Sequence, residues 1–301
     1  MINRNRDFLT FMSLPHYART RRAGLLPAAR RTFVSPRLLQ ILCAFTFVIA
    51  GHDVAAASPP TFVTEAHFAV DQNTSGPNRV TMSLNVSGTN TLLLAALHVE
   101  ADGGDTNWVA TDNGVPGAQL VNTDGYTGGP GNQRFRVYYW VNPPAGNNSV
   151  VIQNSFNGSN ELTGSAVLLS NVTQTGPLGA VTLDVSATPR TSERETVAAT
   201  ASDLVVHVIA DALFVRGTLG AGETSVSVAN DGLQKTSPGD GDASLWISTK
   251  PGAAPTTTVS SSGWPASPAP APRVINGVAI VVHGAGADTS VPSAPTGLQI
   301  R

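Results

Sequence analysis

The stretch that decides the fold is Arg79-Val80-Thr81-Met82-Ser83-Leu84-Asn85-Val86. Side chains of an extended chain point alternately to opposite sides. Val80, Met82, Leu84 and Val86 therefore share one face, and Thr81, Ser83 and Asn85 share the other. Such alternation buries one side of an antiparallel sheet and wets the other. Working outward, further β-prone runs fall at 62–70, 91–100, 119–122, 133–141, 149–154, 165–169, 180–185, 204–210, 224–228, 244–249, 256–260 and 274–282. Between them lies turn chemistry, such as Asp102-Gly103-Gly104, Asn142-Pro143-Pro144-Ala145-Gly146 and Gly239-Asp240-Gly241. Gly and Asn there supply positive φ, and Pro fixes φ near −65°. Short strands at this spacing indicate an all-β sandwich or barrel. The runs Leu92–Leu97 and Leu204–Ala210 are almost continuously apolar and are expected to be central strands, covered on both faces. The Pro/Ala/Ser stretch 264–272 lacks too many N–H donors for a central strand and is expected to be an exposed loop.

The N-terminal region reads differently. Residues 38–50, LLQILCAFTFVIA, are mostly apolar and follow Arg30, Arg31 and Arg37. Thirteen residues are short of the ~20 that span a bilayer, but they suit the apolar core of a signal peptide. Small residues at Ala55, Ala56 and Ala57 place the expected cleavage between Ala57 and Ser58. The segment 1–57 is thus read as an extension and signal peptide, disordered or helical, whose only membrane contact precedes cleavage. Arg30-Arg31-Thr32-Phe33-Val34 resembles the twin-arginine export pattern, and an ordinary Arg-rich n-region that matches it by chance is the favoured reading. Cys43 is the sole cysteine, and the residues before it lack the small side chain expected ahead of a lipidated thiol.

Charge divides along the same line. Residues 1–57 hold eight Arg against two acids, a net of +6; the remaining 244 hold ten Lys plus Arg against eighteen acids, a net of −8. An acidic domain has no cationic footprint for phosphate backbones, which excludes nucleic acid as a partner class.

Three segments carry a family resemblance: Tyr138-Tyr139-Trp140-Val141-Asn142-Pro143-Pro144-Ala145-Gly146 leading to Ser149–Ile152, Leu169-Ser170-Asn171-Val172 leading to Gly176–Gly179, and Asp203-Leu204-Val205-Val206. With the closing strand Gly277–Val282 they resemble a jelly-roll domain of secreted bacterial proteins, often joined to fibronectin type III repeats. Residues 291–298, VPSAPTGL, resemble the opening of such a repeat. The resemblance implies an antiparallel β-sandwich of jelly-roll type over 58–285, a linker and truncated fibronectin start over 286–301, and a surface or extracellular setting with an adhesive, binding or spacer role.

Candidate chemistry is sparse. No Gly-x-Ser-x-Gly elbow, metal-hydrolase signature or phosphate loop occurs. His67, His98, His207 and His283 fall on or beside expected strands, with Glu65, Glu100 and Asp211 at even spacing from the first three. Even spacing shares a face, so a His/carboxylate metal cluster is one reading and isolated polar residues are the other. Asp102 with Asp105, and Asp240 with Asp242, offer loop oxygens to a structural Ca²⁺, while Asx turns explain such loops without an ion. Trp108, Tyr126 and Trp264 are expected in or beside loops, where a flat ring can stack on a sugar. Trp140 and Trp246 lie within strand patterns and are expected in the core.

These features describe a non-catalytic, secreted or cell-surface module that binds or adheres, with carbohydrate or another surface ligand as its partner and no cofactor beyond structural calcium. The oligomeric state is left open. Two alternatives stand beside it: a polysaccharide-active jelly roll using Glu65, Glu100 and Asp211, and a purely structural spacer. N-terminal sequencing of the exported chain is expected to begin at Ser58, and a start at Met1 or Met12 would remove the signal-peptide reading.

Overall fold

Both apolar runs become the middle strands of five-stranded antiparallel sheets. The computed structural model describes residues 57–71, 77–101, 107–123, 134–157, 160–185, 190–211, 217–230, 244–263 and 275–286. They belong to one compact unit, Val54–Arg301. The chain runs through β1 (Thr61–Asp71), β2 (Pro77–Val86), β3 (Leu92–Ala101), β4 (Val109–Asp112), β5 (Val115–Pro116), β6 (Ala118–Asn122), β7 (Arg134–Val141), β8 (Gly146–Asn157) and β9 (Asn160–Ser170). It continues through β10 (Leu178–Asp184), β11 (Ser192–Ala198), β12 (Asp203–Asp211), β13 (Thr218–Leu219), β14 (Thr224–Asn230), β15 (Ser244–Pro251), β16 (Thr256–Ser262) and β17 (Ile275–His283). The described residues contain no helix.

The strands form four sheets, ordered β1-β9-β3-β7-β6, β2-β8-β4-β5, β10-β17-β12-β15-β14 and β11-β16-β13. The first two orders recur in the last two. β1 answers to β10, β2 to β11, β3 to β12, β6 to β14, β7 to β15, β8 to β16 and β9 to β17, with β13 in the place of β4 and β5. Even the bulges recur. β1 slips one residue against β9 between Phe62 and Thr64, and β10 against β17 between Leu178 and Val181. β6 slips against β7 between Gln119 and Val121, and β14 against β15 between Ser225 and Ser227. The same sandwich is thus built twice.

The registers fix which residues correspond. Leu92 pairs with Leu169 and Val141, and Leu204 pairs with Val282 and Pro251, so Leu92 matches Leu204. Three residues further on, Ala95 matches His207. Gly164, paired with Leu97, matches Gly277, paired with Ile209.

Three interfaces hold the four layers. Val80, Met82, Leu84, Val150 and Ile152 of one outer sheet pack on Leu93, Ala95, Leu97 and Leu168 of the first five-stranded sheet. The opposite face of that sheet, with Leu92, Leu94, Val137 and Val167, packs on Val206, Val208, Ile247 and Ile280 of the second. The second then meets its own outer sheet through Val197, Val205, Val259, Ala279 and Val281. A sheet covered on both faces needs apolar side chains in both directions, which is why β3 and β12 lose the alternation seen in β2. The expectation of central strands at 92–97 and 204–210 holds. The all-β sandwich holds as well, but 58–285 contains two stacked sandwiches instead of one. β4, β5, β11 and β13 were not expected, and β8 and β9 run longer than expected.

One asparagine ties the ends and the middle together. Asn171 lies between β9 and β10 in the left-handed region, at φ 58°. Its Nδ2 donates to the carbonyls of Ser58 (2.8 Å) and Pro59 (3.0 Å), and its own carbonyl accepts from Ala285 N (2.8 Å). Its neighbour Val172 bridges to Gly284. Ser58, at the expected cleavage point, is therefore anchored to the domain. Asn171→Ala loses two hydrogen bonds and strains a positive φ, so denaturant unfolding is expected to show a loss of about 1–3 kcal/mol. Asn171→Gly relieves only the strain and is expected to fall between the two. Equal stability of all three proteins would contradict the clasp.

Candidate functional site

The polar centre of the molecule starts with β11, Ser192-Glu193-Arg194-Glu195-Thr196-Val197-Ala198, whose residues are alternately exposed and buried. Pairing with β16 from Ser192↔Ser262 to Ala198↔Thr256 keeps that alternation in register. Glu193 and Glu195 therefore point inward beside Val197, toward β12. There they meet His207, whose side chain, like theirs, is wholly buried.

His207 is enclosed by carboxylates on both ring nitrogens. Nε2 lies 3.2 Å from Glu193 Oε2, as a hydrogen bond, and 3.2 Å from Glu195 Oε2. Nδ1 lies 2.9 Å from Glu223 Oε2. Glu223 is fixed in turn, since its Oε2 accepts from Ser248 Oγ (2.8 Å) and its Oε1 from Ser260 N (2.8 Å). Glu193 Oε1 and both oxygens of Glu195 have no hydrogen-bond partner despite full burial. One atom each from Glu193, Glu195 and His207 lies within 4.8 Å of the other two, a set able to hold a metal ion.

Burial and neighbouring charge compete at each group. Burial lowers the His207 pKa, but bonds to Glu193, Glu195 and Glu223 outweigh it and raise it well above the ordinary 6.5. Burial raises Glu193, yet His207 pulls it down to about 2. At Glu195 burial dominates and, with Glu193 alongside, drives the carboxyl up to about 8 against the pull of His207. The two glutamates thus titrate as a pair, with Glu193 held low and Glu195 held high.

The first sandwich shows the same core without this chemistry. A Cβ on Gly164 would lie 2.5 Å from Val80 and 3.3 Å from the sulfur of Met82. On the matching Gly277 it would collide with Glu195 Oε1 and lie 2.6 Å from Glu193 Oε2. Val80, Met82 and Ala95 stand where the second sandwich has Glu193, Glu195 and His207.

Other expected residues fall elsewhere. His67 pairs with Glu65 at 3.1 Å near the surface, and Glu65 accepts from Ser227 Oγ at 2.8 Å. His283 pairs with Asp203 at 2.8 Å, and Asp203 also caps Thr200. Asp211 is buried at the end of β12, four residues from His207. At about 3.3 Å per residue that is roughly 13 Å along the strand, so His207 takes its carboxylates from across the sandwich and from Glu223. His98 is buried in β3, and the Glu100 side chain lies outside the described residues.

Trp108 corrects an expectation. It is only 6% exposed, with the Arg136 guanidinium 5.5 Å above its ring. It shares a face with Ala110 and Asp112, which also point inward, so its ring fills the core and offers no stacking surface. Trp140 and Trp246 are buried as expected. Asp102, Asp105, Tyr126, Asp240, Asp242, Trp264 and the fibronectin-like residues 291–298 lie outside the described residues. The surface bears a depression of about 410 Å³ lined by Asp112, Val115, Tyr139, Val141, Asn142 and Pro143 among others.

Comparison with known proteins finds no matching family model, no matching curated protein and no matching solved structure.

Two outcomes follow from the cluster. His207→Ala leaves buried carboxylates without their imidazolium and is expected to destabilise by about 3–5 kcal/mol. Glu193→Val/Glu195→Met/His207→Ala, which restores the apolar side chains of the first sandwich and leaves only Glu223 on its Ser248 and Ser260 bonds, is expected to recover most of that loss relative to the metal-free parent. In chelating buffer, melting temperature is expected to fall as pH rises above about 4.5, and more steeply above about 6.5. Glu195 keeps its proton in the folded state up to about 8 while the unfolded chain releases it near 4.5, so stability declines across that range. His207, raised above 6.5, contributes stability that is complete below that pH and is lost as pH climbs through its folded value. Glu193 acts oppositely, being lost only as pH falls from 4.5 toward 2. A pH profile identical in the triple variant would refute this account.

Proposed function

We propose that the chain is a non-catalytic module of the cell exterior that binds a surface carbohydrate. The observation that carries this reading is the sealing of the Glu193–Glu195–His207 group. A general acid or base must reach within hydrogen-bond distance of a substrate, and these side chains have no exposure at all. Among the described residues the surface offers a different resource, the depression where Tyr139 and Asn142 adjoin exposed Val115 and Val141. A ring edge and amide beside apolar surface suit a sugar, which presents both hydroxyls and a C–H face.

Strand order supports the jelly-roll part of the reading. In each half the first, last, third and sixth strands of an eight-strand count lie side by side, opposite the second, seventh and fourth. Apart from the fifth strand, which lies beside the sixth instead of the fourth, that order is the one a double Greek key would give, and this supports the jelly-roll reading. The export signature at 38–57 supports an exterior location, and the acidic balance of the rest supports solubility without affinity for nucleic acid.

The test is retention of the exported chain on a panel of insoluble and soluble polysaccharides. Specific retention, reduced at least tenfold by Tyr139→Ala or Trp264→Ala, is the expected result. No retention on any glycan would favour a spacer or protein-contact module, and release of new reducing ends would favour the enzyme alternative.

A further inference from the structure

We propose that Glu193, Glu195 and His207 bind one divalent transition-metal ion of the zinc type, which braces the second sandwich from within. This goes beyond the binding role above and does not depend on it. Three independent features converge on the cation.

The first is the donor set. Imidazole nitrogen with carboxylate oxygen suits zinc and its first-row neighbours, whereas calcium takes oxygen alone. His207 Nε2, Glu193 Oε2 and Glu195 Oε2 supply three donors, with the 3.2 Å spacings from Nε2 that adjacent ligands of one ion adopt at metal–ligand distances of about 2.0–2.2 Å. A second oxygen of Glu195 or Glu193 completes the four contacts of a structural zinc site. No thiol is needed or present in the domain, whose sequence after Cys43 contains no further cysteine.

The second is the outer shell. A ligating histidine almost always donates its other ring N–H to a carboxylate or carbonyl, which fixes its tautomer and orientation. His207 Nδ1 meets Glu223 at 2.9 Å, and Glu223 is itself held by Ser248 and Ser260. This leaves Nε2 aimed into the space between Glu193 and Glu195.

The third is a set of buried oxygens that no hydrogen bond satisfies, although Glu195 Oε2 lies at ion-pair distance from His207 Nε2. Glu193 Oε1 and both oxygens of Glu195 are buried with no hydrogen-bond partner, a condition that native cores avoid. The architecture does not force it, because the first sandwich closes the same position with Val80 and Met82. A cation placed between the carboxylates answers these oxygens directly.

The experiment uses Zn²⁺ as probe on the full chain. After chelation and dialysis, the protein is reloaded with Zn²⁺, and metal content, melting temperature and zinc X-ray absorption are recorded. The expected result is one zinc per chain, a melting temperature that rises with free Zn²⁺ as linkage requires, and a light-atom shell near 2.0–2.1 Å with one imidazole. Glu195→Gln is expected to weaken retention at least tenfold. Should that variant fail to fold, Glu193→Val/Glu195→Met/His207→Ala serves in its place and is expected to bind none while folding. The proposal is overturned by absence of zinc from the parent after reloading and removal of excess Zn²⁺, by a shell lacking imidazole, or by undiminished zinc in the triple variant. Surface histidines His67 and His283 are thereby separated from the buried site.

Discussion

The structure depends on one burial event, the packing of two five-stranded sheets back to back. Their facing residues, among them Leu94, Val137, Val167, Val206, Val208 and Ile280, form the largest apolar cluster. Each sheet has a second face that must also leave water, and each therefore carries a smaller sheet of its own. Four layers result, and the middle two are dry on both sides. Polar side chains that enter this interior are paired where they can be. Between the halves Ser165 donates to Ser227 (2.5 Å) and Ser227 to Glu65 (2.8 Å), a short chain that ends on a carboxylate at the edge.

The two sandwiches share strand order, two bulge positions in the five-stranded sheets and the placement of a glycine against the outer sheet, yet differ in what they bury there. Val80 and Met82 meet Ala95 in one; Glu193 and Glu195 meet His207 in the other. A backbone able to close over either chemistry does not explain the charged version. Buried ionic groups are expensive to desolvate and are weak evidence of stability in themselves. Their presence therefore calls for a ligand or a pH response, and the unpartnered oxygens of Glu195 favour the ligand.

Much of the fold was legible because period-2 patterning and turn residues are local signals. Val80, Met82, Leu84 and Val86 alternate, and they form the inner face of β2 as read. The turn that opens at Asn142 separates β7 from β8 where expected, and Asn142 indeed takes a positive φ of 51°. β11 escaped because Glu193, Arg194 and Glu195 in succession look like a solvated segment. Only its even spacing, Glu193-x-Glu195-x-Val197, hinted at one inward face. Trp108 escaped for the opposite reason. It lies near a loop in sequence but shares parity with Ala110 and Asp112, which face the core.

By itself the sequence determined the all-β class, the two central strands, the burial of Trp140 and Trp246, and the acidic, cysteine-free character of the region after the apolar segment. These follow from composition and from which residues alternate, and neighbours along a strand are enough to reveal them. Only the tertiary structure decided that the sandwich is built twice and that His207 meets Glu193, Glu195 and Glu223. Those partners come from β11 and from the turn before β14, 12 to 16 residues away in sequence. Strand pairing and sheet stacking brought them together, and neither is written in the spacing of any one strand.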